Sequence, residues 1–262
     1  MQVFEPHSGA QFDAEISGPH TGPLVVLIHG SLDRSSGMAR LARATSRFRN
    51  VVRFDRRGYH DRWQHPGPMT VDGNVDDVVA LVGSHDAILI GHSYGGQIAL
   101  ATAARLGTQI VGVSIYETPL SWMEWWPTNT AGAAGVAAGP EKAAEQFMIR
   151  MIGQHRWDTL PERTKVERRR EGATLVAELE ALRRGPSWEP SQIHCPVICG
   201  LGSQAREHQH TAANWLTDHI ETATQAVIVD AGHGAHLSHP NEFYEQLIRP
   251  HIEGTGTLTE IS

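Results

Sequence analysis

Cysteine is nearly absent from this chain: of 262 residues only Cys195 and Cys199 carry a thiol. They flank Pro196 and Val197 in a stretch that reads as a buried strand, which is neither a disulfide framework nor a zinc-ligand pattern. Both are expected to be reduced core residues. Positive charge is scarce as well. The formal net charge is −7 and there is no long basic tract, so little is present to hold a phosphate backbone, which argues against nucleic acid as a partner. The one dense basic patch, Arg168, Arg169 and Arg170, is expected to be a solvated helix face. Long apolar runs are missing too, and none approaches the roughly 20 residues that span a bilayer. Residues 1–10 carry Glu5, Pro6 and His7 where an export signal needs a basic start and then an apolar segment. A soluble, cytoplasmic protein without a membrane partner is expected, with monomer and homodimer both open.

What the chain does have is length for one large domain and a repeating rhythm. Apolar, β-branched runs recur at 24–28, 51–54, 87–90, 110–115, 197–199 and 226–229. Without polar alternation, such runs suit strands buried on both faces of a parallel sheet. Helix-length segments lie between or after them, at 36–48, 71–82, 97–106, 208–219 and 240–252. Strand then helix, repeated, predicts an α/β, doubly wound, mostly parallel sheet. Residues 2–5 and 11–16 are expected to add an antiparallel edge.

One interval breaks the rhythm. From 119 to 190 there is no strand candidate, only aromatic and alanine-rich helical text with helices expected near 141–152 and 161–184. We expect a helical cap there, inserted after the strand that ends near Tyr116, with 1–118 and 191–262 forming the core. Insertions of this kind sit over the carboxyl edge of the sheet, where ligands bind in open α/β folds. The Ala/Gly-rich stretch 131–139 reads as hinge or loop as readily as helix.

The segment "ILIGHSYGGQIAL" carries the strongest motif. A strand ends at Ile90, Gly91-His92-Ser93-Tyr94-Gly95 matches G-x-S-x-G, and Gln97 onward is helical. In such an elbow the serine is held strained with its hydroxyl exposed at the top of the sheet. Together with "VVLIHGS", "FDRRGY" and "AGHGAHLSHP", in that order, this segment resembles the α/β-hydrolase superfamily over residues 24–252, the cap being the least matched part. His60 departs from the pattern, since a small residue usually stands there.

The resemblance implies an α/β-hydrolase fold and a catalytic triad. Ser93 is then the nucleophile and His233 the base that takes its proton, with His236 as competitor. The backbone N–H groups of Ser31 and Tyr94 are the expected oxyanion donors. The third member departs from the common pattern, because Gly202-Ser203-Gln204-Ala205 stands where an aspartate usually follows the strand. Some relatives place the acid after the preceding strand, which selects Glu117; Glu207, Asp230 or a Ser-His dyad are the alternatives. A serine excludes the carboxylate-nucleophile chemistry of epoxide hydrolases and haloalkane dehalogenases, since its alkoxide would leave a dead alkyl ether. Acyl transfer to water is expected on a small-molecule ester, thioester or lactone, without cofactor or metal.

Trp122, Met123, Trp125 and Trp126 either line an apolar pocket or pack the cap onto the sheet, while Tyr94, Leu32 and His92 are expected at the pocket floor. His208 and His210 lack nearby Cys or Asp ligands, so a metal site there is not expected. A non-catalytic binding module, or a cofactor-free lyase or perhydrolase using the same constellation, is the alternative function.

Overall fold

The computed structural model describes residues 2–5, 11–128 and 138–254. Eight strands form one sheet in the order β1-β2-β4-β3-β5-β6-β7-β8. They are β1 (Gln2–Phe4), β2 (Phe12–Ser17), β3 (Leu24–Ile28), β4 (Val51–Phe54), β5 (Ala87–His92), β6 (Ile110–Tyr116), β7 (Val197–Gly202) and β8 (Ala223–Ile228). The edge pairs β1/β2 and β2/β4 run antiparallel, and every later pair is parallel.

The apolar runs explain why the sheet is covered on both faces. Because side chains alternate along a strand, Leu24, Val26 and Ile28 enter one core cluster while Val25 and Leu27 enter another. β5 splits in the same way, with Leu89 on the first face and Ile88 and Ile90 on the second. Helices α2 (Val71–Val82) and α3 (Tyr94–Leu106) pack on the first face; α1 (Ala39–Thr45) and the C-terminal segments pack on the second.

Between β6 and β7 lie α4 (Pro140–Ile152), α5 (Gln154–Asp158), α6 (Glu162–Arg170) and α7 (Gly172–Arg183). A third cluster, joining Leu32 and Tyr59 to Ala143, Ala144, Met148, Trp157 and Leu175, seats this insertion on the loops at the carboxyl end of the sheet. The Ala/Gly-rich stretch lies, up to residue 137, outside the described residues.

The structure corrects four expectations. The last strand starts at Ala223 rather than 226 and ends before Val229, because its ladder with β7 recruits Thr224 and Gln225 at a sheet edge where apolar side chains are not required. The helix expected over 161–184 is two helices broken at Glu171, whose buried carboxylate accepts from Arg34, Arg168 and the His60 N–H. The C-terminal segment is not one helix either: a short helix at Pro240–Phe243 passes through a π-turn at Tyr244–Ile248 into a last helix at Arg249–Gly254. Pro250 cannot donate the next helical hydrogen bond, which accounts for the widened turn before it.

Nor is the arginine run a free solvated face. Arg168 pairs with Glu171, Arg169 with Glu145 and Glu162, and Arg170 lies over the Trp63 ring. Among the described residues no helix is long and apolar enough to cross a membrane.

Candidate active site

β5 ends at His92 and α3 begins at Tyr94, leaving Ser93 alone at the junction with φ 54° and ψ −121°. A non-glycine residue in that region is strained, and two backbone bonds hold it there. The Ser93 N–H donates to the Tyr116 carbonyl (2.8 Å), and the Gly96 N–H donates to the Ser93 carbonyl (2.9 Å). The glycines on either side answer to crowding. A Cβ on Gly91 would lie 2.4 Å from the Gly95 carbonyl oxygen, and one on Gly95 would lie 2.3 Å from that of Ile28. Helix α3 therefore presses against the ends of β5 and β3, and Ser93 is left at the tip of the turn.

His233 reaches the same place from the loop after β8. Its Nδ1 lies 2.7 Å from Oε2 of Glu117, the residue that follows β6 and itself has φ 45°. The Glu117 carboxylate is buried and fully engaged: Oε1 accepts from the Gly202 N–H (3.1 Å) and Oε2 accepts also from the Gln209 amide (2.5 Å). The Gln209 side chain is oriented by its own carbonyl, which accepts from the Arg206 N–H at 2.8 Å. With Nδ1–H directed at Glu117, the His233 Nε2 carries the free lone pair. The loop is fixed from beneath as well, since His92 Nε2–H donates to the His233 carbonyl (2.7 Å) and the Tyr116 hydroxyl donates to that of Gly232 (2.9 Å).

Ser31, just beyond β3, is held by a buried charge network. Its hydroxyl donates to Oε2 of Glu178 on α7 (2.6 Å), which also accepts from the Tyr59 hydroxyl (2.7 Å). Oε1 of Glu178 takes Arg56 at 2.5 Å, and Arg56 Nε donates onward to the His29 carbonyl (2.9 Å). Both charged side chains are fully buried. Burial, and then the Arg56 charge, push His29 down to about 4, so it is neutral, donating from Nδ1 to the Gly30 carbonyl and accepting at Nε2 from the Arg56 N–H. One side of the insertion is thereby tied to the loop that carries Ser31.

A cavity of about 280 Å³ opens on these groups. Ser31, Ser93, Tyr94, Glu117 and His233 line it together with Pro119, Ser121, Trp126, Phe147, Met151, Leu179, His208 and Gln209. Arg150, Arg183 and Arg206 complete its polar wall beside Gln204.

A family model described as the alpha/beta hydrolase family matches residues 25–246. The chain belongs to that family. Among solved structures, the chain is similar to a thermophilic esterase from Thermogutta terrifontis (TM-score 0.76, 19% identity, 98% of this chain and 99% of that one). An enol-lactonase from Burkholderia xenovorans LB400 (TM-score 0.71, 20% identity, 92% and 96%) and a bromoperoxidase from Bacillus anthracis (TM-score 0.69, 19% identity, 91% and 97%) are also similar. At these identities the likeness is one of fold. No curated protein was found to match the sequence.

Within this α/β-hydrolase, not every residue singled out from the sequence faces the cavity. Trp126 does, stacked edge-on against His208, but Trp125 is 38% exposed and Trp122 packs on the sheet core against Trp188. Leu32 is turned into the cluster that seats the insertion, and His92 lies behind the wall. His92 is displaced from the expected pocket floor because its ring packs against His233 and His236, and Leu32 because its side chain packs with Tyr59 and the inserted helices. Glu207 is exposed at the start of α8 (Glu207–His219), and Asp230 is exposed with its N–H on the Ser203 hydroxyl; neither contacts His233. His236 is buried against Asp33 (3.1 Å) and His92.

Asp33, His92 and His236 are, among the described residues, the one group of three side chains with ligand atoms close enough to share a metal, within 4.8 Å of one another. His92 Nε2 serves the His233 carbonyl and His236 Nε2 serves Asp33, while the Nδ1 atoms of both imidazoles are buried without a hydrogen-bond partner. Burial, with the neighbouring His236 and His233 charges, holds His92 far below the usual imidazole range. Burial opposes ionisation of Asp33, but the His236 hydrogen bond and the surrounding imidazoles outweigh it and keep that carboxyl below its ordinary range.

Two groups at the site were missed from the sequence. Gln209 sits inside an ordinary helical stretch, and Glu178 inside another, 122 positions from its partner Arg56. His60, the departure from the family pattern, occupies a φ of 47° with Nδ1 on Asp55 at 2.9 Å and its N–H on Glu171. It closes the turn that delivers Arg56.

Proposed function

We propose that this chain is a cofactor-independent serine hydrolase that cleaves a small to medium carboxylic ester, thioester or lactone through an acyl-enzyme. The observation that carries the reading is the convergence on one cavity of a strained, half-buried serine and a histidine whose other nitrogen is paired to a buried carboxylate.

In this reading His233 Nε2 takes the Ser93 hydroxyl proton as the oxygen attacks the acyl carbon. Glu117 holds the imidazole in the required tautomer and stabilises the imidazolium that forms. The carbonyl oxygen, now negative, is met by the N–H groups of Ser31 and Tyr94, which need no reorganisation because each is fixed by its loop or helix. His233 returns the proton to the departing alcohol, thiol or ring oxygen. It then deprotonates the water that attacks the acyl-enzyme and restores the serine. The insertion 119–190 acts as the cap over a core of 1–118 and 191–262: Phe147, Met151 and Leu179 give it an apolar inner face toward the acyl group.

The test is hydrolysis of p-nitrophenyl esters of graded acyl length. Wild-type turnover that falls about 10³-fold or more in Ser93→Ala supports the reading; undiminished turnover by that variant would remove it.

A further inference from the structure

The wall of the cavity carries a charge that ester hydrolysis alone does not require. Arg150 from α4, Arg183 from the last turn of α7 and Arg206 just ahead of α8 line one space from three separate elements. All three are solvent-exposed. Among the described residues that line the cavity the one carboxylate is Glu117, whose oxygens are already taken by Gly202, Gln209 and His233. Arg183 and Arg206 form no ion pair among the described residues. In a chain of net charge −7, this wall is a local excess of cations.

Two further features point the same way. His208, which also lines the cavity, is held below its ordinary value first by burial and then by the charges of Arg206 and Arg150, with Glu117 opposing. The Ser121 hydroxyl lines the cavity and is buried there without a hydrogen-bond partner. The remaining surface is apolar, from Trp126, Phe147, Met151 and Leu179.

We propose that the ligand of this cavity joins an apolar body to an anionic group, a carboxylate or a phosphate, with Arg183 and Arg206 as its main electrostatic partners. Guanidinium groups suit planar or tetrahedral oxyanions through paired N–H donors, and a cationic wall in a low-dielectric cleft concentrates anions before contact. The inference deepens the hydrolase reading by naming the substrate class and rests on it for the word substrate.

Turnover of mono-p-nitrophenyl glutarate and p-nitrophenyl pentanoate tests it, since the acyl chains match in length and differ in a terminal carboxylate. The expected result is a kcat/KM ratio favouring the glutarate, falling with added salt. In Arg183→Gln/Arg206→Gln the ratio should drop about tenfold through KM, as two exposed charge contacts would give. A ratio at or below one that the double variant leaves in place overturns the anion inference while the hydrolase reading stands. If neither ester is turned over, the hydrolase reading fails and the inference is decided by binding. Ser93→Ala is then titrated calorimetrically with 4-phenylbutanoate, 4-phenylbutyl phosphate and 4-phenylbutan-1-ol. An anion that binds more tightly than the alcohol, and loses that advantage in the double arginine variant, supports the proposal and names the anion. Equal or absent binding of all three overturns it.

Discussion

His233 Nδ1 and Glu117 Oε2 stand 2.7 Å apart although β6, not β7, supplies the carboxylate. The usual position after β7 is filled by backbone instead: the Gly202 N–H donates to Oε1 of the same glutamate. The Glu117 carboxylate thus reaches the histidine from the end of β6 and is steadied by the backbone at the end of β7.

This arrangement predicts an unequal response of the two glutamates. Glu117→Gln should lower kcat by about 10⁴-fold, the size of effect seen when a triad carboxylate becomes an amide. Glu207→Gln should change it by less than about twofold. Steady-state kinetics on an ester that wild type turns over checks the pair, and the reverse order moves the acid to the later loop.

Gln209 is expected to matter through Glu117 rather than through substrate. Its amide donates to Oε2 and lies 3.2 Å from His233 Nδ1, so Gln209→Ala removes one charge-assisted bond to the carboxylate. A loss of about tenfold in kcat with KM unchanged is predicted. A rise in KM alone would assign Gln209 to substrate binding instead.

The buried Arg56–Glu178 pair predicts a stability effect far larger than that of a surface ion pair. Glu178→Ala leaves the Arg56 guanidinium buried without its carboxylate and frees the Ser31 and Tyr59 hydroxyls. Removing one partner of such a pair costs about 3–5 kcal/mol. Urea unfolding should register that loss, and a variant within about 1 kcal/mol of wild type would show that the network is dispensable.

Buried imidazoles set the acid limit of the fold. Burial pushes His29 and His251 down to about 4, whereas both titrate near 6.5 in an unfolded chain. The unfolded state therefore binds more protons between those values, so stability is full above about pH 6.5 and is lost as pH falls toward 4. By pH 5 each group withdraws about 2 kcal/mol. The melting temperature should drop clearly between pH 7.5 and pH 5; a flat profile would mean that these imidazoles are accessible to protons in the folded state.

Much of this was legible from local pattern. Strands buried on both faces advertise themselves as unbroken apolar runs, and the elbow has a steric signature, since close packing of α3 on β3 and β5 leaves room only for glycine at 91 and 95. Glu117 could be reached because it closes a recognisable strand. Gln209 and Glu178 could not, since each is a polar residue in helical text whose partner is distant in the chain. Trp122, Trp125 and Trp126 show the same limit: an aromatic cluster announces burial, but only tertiary packing decides which ring meets the cavity. The C-terminal segment reads as one continuous helix because its periodicity survives the π-turn that Pro250 imposes.

The most direct test of whether Ser93 is activated is covalent. Wild type treated with a fluorophosphonate, digested and analysed by mass spectrometry should carry the phosphonyl group on the Ser93 peptide. Labelling should slow by at least about a hundredfold in His233→Ala and Glu117→Gln. No adduct, an adduct on another residue, or equal labelling rates in all three proteins would contradict the Ser93–His233–Glu117 account.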